Sequence, residues 1–275
     1  MPPAVTAPLP LPRLRSAAPR APARHGHRPA GGLIAAAALS GSSQDDMKKM
    51  GELMEAVQAS LAAQGKTMSD TDAFADVMCE ELEKAVKDGG LPLNGIADRG
   101  EYTGYGGGGP IPVYLQLAQA CMGANAKVLR LMLKLGADPN LPCEAYSYPN
   151  VYHVTPLTHF IVTLIMTGMA DGMYMDIASA AEALLDAGAD INGRVNIKGQ
   201  CNPGADPPLI PYTGPPMDFT AVMMLANTGP TTGGKGCELL RLLVARGADL
   251  NAKAGDGKAT REMPMSGEAT AILNA

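Results

Sequence analysis

The chain has 275 residues, of which 46% are apolar and 4% aromatic, with no Trp and a formal net charge of −5. Helix pairs packed through Ala, Leu and Met suit that composition; an aromatic-rich sandwich does not. Residues 1–44 carry five Arg and no acid, so the remainder holds 17 basic and 27 acidic residues, a net charge of −10. That excess of acid argues against nucleic acid, which needs cations to replace its counterions. The five cysteines, an odd number with no C-x-x-C spacing, read as thiols in a reducing compartment.

Residues 1–44 form no core pattern. Eight prolines from Pro2 to Pro29 interrupt any helix, and Arg13, Arg15, Arg20, Arg24 and Arg28 sit among Ala and Pro. An Arg-rich, acid-free start is similar to an organelle transit peptide, in wording that of an algal chloroplast leader. A mitochondrial leader, or a disordered tail on a cytoplasmic protein, are the alternatives. The apolar run Leu33 to Leu39 is far too short to span a bilayer, so no transmembrane segment is expected.

Met47, Met50, Met54, Val57 and Leu61 recur at helical spacing, so 46–64 reads as an amphipathic helix with Gly65 after its end, within an N-terminal capping segment 45–68. A second helix follows over 70–88. Ser69 and Asp70 are placed to cap it, Phe74, Val77, Met78, Leu82, Ala85 and Val86 form its buried stripe, and Gly89 and Gly90 stop it.

From here one phrase recurs. Gly136-Ala137-Asp138-Pro139-Asn140, Gly188-Ala189-Asp190-Ile191-Asn192 and Gly247-Ala248-Asp249-Leu250-Asn251 each follow an apolar run (Val128 to Leu135, Ala180 to Ala187, Leu239 to Arg246). Glycine at such a point ends a helix in the left-handed conformation. Asp and Asn can then bond nearby backbone and shape the turn. Gly90 to Asn94 occupies the same place in degenerate form.

The phrase, with Thr155-Pro156-Leu157 opening one helix and Thr220-Ala221-Val222 another, resembles the ankyrin repeat. Its consensus opens Thr-Pro-Leu-His; Thr158 stands where that His would be, and only Leu117 and Ala120 survive in an earlier copy. The resemblance covers about residues 70–275. It implies an all-α solenoid of about four repeats over 69–275 with a short C-terminal cap, in which Thr260 to Met263 and Ala269 to Leu273 are brief helices. It also implies a non-enzymatic protein-binding module, an adaptor, assembly factor or accessory subunit gripping a partner with its concave face and fingers. It does not identify the partner or the oligomeric state, and it requires no cofactor.

The asparagines at 94, 140, 192 and 251 lie 46, 52 and 59 residues apart, against an ankyrin period of about 33. Residues 95–111, 141–154 and 193–218 therefore read as finger insertions between repeats, with further insertions at 167–175 and 227–236. Tyr102, Tyr105, Tyr146, Tyr148, Tyr152 and Tyr212 fall in the fingers. Tyr is a favoured interface anchor, so these six are the candidate partner-binding residues. The competing reading is that the rings hold neighbouring fingers together. The Gly-rich 104–110 and Pro-rich 203–216 stretches are expected to order only on binding.

Signals for chemistry are few. Gly229 to Gly236, with Gly234 and Lys235, is nearly a P-loop, but Gly236 stands where the metal-holding Ser or Thr belongs. A nucleotide-dependent regulator using 229–236 is the alternative function. His153 and His159 have no completing ligands for a metal and read as solvent or turn residues.

Overall fold

In a computed structural model, residues 43–98, 110–121, 125–147, 150–167, 176–201, 209–228, 233–263 and 266–275 are described. The leader, with the plastid, mitochondrial and cytoplasmic addresses read from it, lies outside them. α1 (Ser43–Ala63) and α2 (Thr71–Lys87) form the first helix pair through Met50, Leu53, Val57 and Leu61 on one side and Phe74, Val77, Met78 and Leu82 on the other, all buried, while Met47 is 39% exposed. The buried stripe of α1 is thus rotated from the one expected, with Leu53 in place of Met47. Asp70 does not cap α2 with its side chain; its carboxylate accepts from the Thr67 N–H at 2.9 Å.

The hairpin of β1 (Ile96–Asp98) and β2 (Pro110–Pro112) leads to α3 (Val113–Ala120) and α4 (Asn125–Lys134). Then come β3 (Cys143–Ser147), β4 (Asn150–Val154), α5 (Pro156–Thr167) and α6 (Ile177–Asp186). A long strand β5 (Arg194–Cys201), the short β6 (Leu209–Pro211) and β7 (Phe219–Thr220), and the pair α7 (Ala221–Thr228) and α8 (Gly233–Ala245) follow. A 3-10 turn (Thr260–Glu262) and α9 (Gly267–Asn274) close the stack.

Three helices end alike. Gly136, Gly188 and Gly247 have φ of 101°, 90° and 85°, a region closed to side chains without strain. The next N–H returns to the last helical turn: Ala137 to Met132 O, Ala189 to Leu184 O and Ala248 to Leu243 O, at 2.9–3.0 Å. Inside each turn the Asp side chain accepts from the Asn N–H, as in Asp138 Oδ1 from Asn140 at 2.8 Å.

The asparagine side chains do something the local reading missed: they reach the next repeat. Asn94 Nδ2 donates to Gly136 O (2.9 Å) and its Oδ1 accepts from Asp138 N–H (2.7 Å). Asn140 repeats both bonds to Gly188 O (3.0 Å) and Asp190 N–H (2.7 Å), and Asn192 Oδ1 accepts from Asp249 N–H (2.9 Å). At the start of the row Lys49 Nζ donates to Gly90 O, so a lysine of α1 terminates the ladder.

Outside, the second helices of successive pairs alternate in sign. Lys127 pairs with Asp76, Arg130 with Glu182, Arg246 with Glu182 and Asp186 (3.2 and 2.7 Å), and Arg241 with Glu268 (2.8 Å). These pairs are exposed and screened by salt, so they favour the right neighbour more than they add stability.

The fold is not all-α. The second and third fingers are strands of one antiparallel sheet ordered β3-β4-β5-β6, with β7 also on β5. β4 and β5, from different repeats, pair from Asn150↔Gln200 to His153↔Asn196, with an irregularity between Val151 and Tyr152. Gly199 has a steric reason: a Cβ there would lie 2.5 Å from Ile210 O of β6. Of the Pro-rich stretch, 209–216 is described and its first residues are β6; residues 104–109 lie outside the described residues.

Asn140→Ala removes two inter-repeat hydrogen bonds and is expected to cost about 1–2 kcal/mol in urea unfolding. Asn251→Ala, at the last and exposed turn, is expected to stay within about 0.5 kcal/mol. Equal losses would remove the ladder from the account.

Candidate partner-binding surface

The inner helices offer little. In α5 every residue from Pro156 to Val162 is buried, and in α7 every residue from Ala221 to Ala226. A helix buried all round has something on each side. For α5 the covering element on one side is β3: His159 Nδ1 meets Glu144 O at 3.2 Å. On the other ring edge His159 Nε2 meets Gln119 Nε2 of α3 at 2.6 Å. With the Gln119 amide nitrogen on that edge, Nε2 is the acceptor and Nδ1–H donates to the carbonyl. His159, 3% exposed, is therefore a core link between two repeats and a finger, not the solvent or turn residue expected. Thr158, in the consensus histidine's place, is fully buried, and its hydroxyl accepts from Thr155 N–H at 2.8 Å.

The concave helix face, expected to grip a partner, is thus closed along α5 by the chain's own finger. What projects is the sheet. One of its faces, through Cys143, Ala145, Tyr152, Val154 and Val195, joins the main core. The opposite face carries a charged row. Glu144 on β3 lies opposite His153 on β4, which lies opposite Asn196 on β5, and Lys198 pairs with Glu144. Partial desolvation against the sheet holds the exposed His153 imidazole below its ordinary range, opposed by Glu144 and reinforced by Lys198.

The six candidate tyrosines separate. Tyr102, Tyr105 and Tyr148 lie outside the described residues, as does the side chain of Tyr146. Tyr152 is 7% exposed, its ring in the core and its hydroxyl accepting from Asn150 Nδ2 at 3.3 Å. It holds the finger in shape and has no surface to give a partner. Tyr212 is 37% exposed, next to Ile210 at 49%. Tyr114, outside the fingers, was given no role by the sequence; its buried phenol donates to Asp138 O at 2.8 Å and ties α3 to the following turn.

The base of the third finger is fastened. Arg194 Nη1 donates to Asp218 O (2.7 Å) and Lys253 O (2.9 Å), and Asp218 N–H donates to Asn196 Oδ1 (2.8 Å). Asp218 holds φ at 48°, which a non-glycine residue keeps only where its surroundings impose it. Gly255 N–H donates to Met217 O, and a Cβ on Gly255 would collide with Pro216 O.

Groups for chemistry are few. Among the described residues no group of three or more His, Cys, Asp or Glu could hold a metal ion. The near P-loop lacks its strand: Val222 to Leu225 lie in α7, and Lys235 sits in the first turn of α8. Burial pushes the Cys121 thiol up to about 12 and raises Cys79 and Cys237, which leaves them poor nucleophiles. Among the described residues no helix is long and apolar enough to cross a membrane.

No family model and no curated protein matches the sequence. Among solved structures, the chain is similar to the crystal structure of the ankyrin repeat domain of Bcl-3, described as a unique member of the IkappaB protein family. Identity is 17% and the TM-score 0.42, over 74% of this chain and 67% of that one. A score of that size carries no weight by itself; the repeat architecture stands on the ladder and the helix pairs.

His153 gives the sheet a pH dependence of fixed sign. With its folded value depressed, the unfolded chain takes the proton first as pH falls. Its contribution is therefore whole above the unfolded value, about 6.5, and declines as pH drops below it. Urea midpoints at pH 7.5 and 5.5 should show a loss toward acid that is smaller in His153→Gln.

Proposed function

We propose that the chain is a non-enzymatic protein-binding module, an adaptor, assembly factor or accessory subunit, that holds one protein partner with its fingers. The observation that carries this reading is the fusion of two fingers from successive repeats into one sheet. Loops that merely tolerate insertion need no such order. Here β4–β5 pairing, the Arg194 fastening and the His159 link hold the insertions in a fixed shape beside a helix row that is itself covered. A pre-shaped surface spends less of its contact energy on ordering. Ile210 and Tyr212, two large apolar side chains left exposed at the margin of that sheet, are the natural anchors.

Residues 1–44 are proposed as a transit peptide addressing the protein to the plastid stroma, where one fixed partner would suit such idiosyncratic insertions. N-terminal sequencing of the protein from its own cells should then begin near residues 35–45. A chain starting at Met1 would leave the cytoplasmic reading.

The binding reading is tested by photo-crosslinking. A crosslinker at Tyr212 in the full chain should capture one stoichiometric protein, and one at Glu238 on the outer helices should not. Capture from Glu238 alone would overturn the finger surface. Once the partner is in hand, Ile210→Ser with Tyr212→Ala should weaken it tenfold or more at an unchanged melting temperature.

A further inference from the structure

Residues 210–216 form a run of their own: Ile210, Pro211, Tyr212, Thr213, Gly214, Pro215 and Pro216 are all exposed, and none is charged. Three of the seven are prolines. Each proline fixes its own φ near −65°, and each drives the residue before it toward the extended or polyproline region. Ile210, Gly214 and Pro215 precede prolines, so local preference at most positions is for an extended course, with a bend at Gly214 dividing the run. Its backbone is poor in donors, because three residues lack an N–H and that of Tyr212 is used by Lys198 O at 3.1 Å.

The run is also held at both ends. On one side β6 is hydrogen-bonded to β5, from Cys201↔Leu209 to Gly199↔Pro211. On the other, Met217 O is taken by Gly255 N–H, and Asp218 by Asn196 and Arg194. Between them Tyr212 lies back over Gly214, where a Cβ would collide with the Tyr212 hydroxyl oxygen. The tyrosine is thereby set in place and still 37% exposed.

Another strand is not the fitting partner for this edge. In the β6 register Tyr212 N–H faces β5, so by alternation the backbone nitrogen of position 211 faces outward. It belongs to proline and cannot donate, which blunts the edge against strand addition. What remains to be recognised is proline rings, a neighbouring tyrosine and outward carbonyls.

We propose that 210–216 is a preformed proline-type ligand, read by a partner carrying an aromatic-lined groove of the kind that binds extended proline segments. The proposal rests on the finger-binding reading and names the chemistry of its partner. The loop presents, and the partner supplies the groove. Because both ends are pinned, the ordering cost a free peptide would meet is largely met on folding.

The test uses the full chain with two purified probes, a WW domain and an SH3 domain, titrated by fluorescence anisotropy. At least one is expected to bind with a dissociation constant of roughly 1–100 µM, tighter than it binds a free peptide of residues 209–218 by about tenfold. Tyr212→Ala and Pro215→Ala should each weaken that binding tenfold or more, with the melting temperature of the stack unchanged. No binding by either probe at roughly 500 µM, equal binding by the loop variants, or self-association through this loop in sedimentation would overturn the proposal. If Tyr212 or another finger position still captures a protein partner in that case, the finger reading survives and only the proline chemistry fails.

Discussion

The stack depends on one side chain used repeatedly, an asparagine amide that serves the next turn. Each Gly-Ala-Asp-x-Asn turn leaves its glycine carbonyl and its Asp N–H pointing at the preceding repeat. Asn94 and Asn140 meet both groups with one amide, donor to carbonyl and acceptor to N–H, and Asn192 meets the Asp N–H. The turns are exposed, and the bonds are worth only about 1 kcal/mol each. Their value lies in position. They set the rise and rotation from one helix pair to the next, and the fingers project from the segments that directly follow. In a repeat stack, whose stability is close to a sum of unit and neighbour terms, that interface is where sequence decides whether neighbours couple.

Two further devices act on the same interface. The outer helices alternate in charge, so that each finds an opposite neighbour: acidic α2, basic α4, acidic α6, basic α8 and the acid of α9. The inner row is joined by Gln119 and His159, a half-buried contact whose histidine also holds β3. Outer salt bridges order the repeats and inner polar contacts order the fingers; the apolar core between them is generic Leu, Ala, Val and Met.

Most of the helical stack was legible in the sequence, because it is written in short-range signals: glycine stops, apolar periodicity and a repeated phrase. Gly136, Gly188 and Gly247 do what their place after a helix requires. The asparagines were read as local turn formers, and there the sequence is ambiguous. Asp138, Asp190 and Asp249 act locally, while the Asn side chains act across 42 to 57 residues. The fingers were misread for a related reason. Val, Tyr and Ile alternate through Cys143 to Val154 and Arg194 to Gln200, which is also a strand pattern. Read as loops, their aromatics looked like contacts for a partner. Tyr152 shows the difference, since the pairing of β4 with both β3 and β5 turns its ring into the core. His159 was missed because burial by a finger from the same chain cannot be seen in helical spacing.

Amide hydrogen exchange at Asp138, Asp190 and Asp249 tests the account most directly. All three N–H groups lie in exposed turns, where local structure alone gives little protection. Each is bonded to an asparagine of the preceding repeat. The account predicts that they exchange as slowly as the buried turns of α4, α6 and α8, by unfolding of the stack. Exchange at the rate of free loop amides, with the helices still protected, would contradict it.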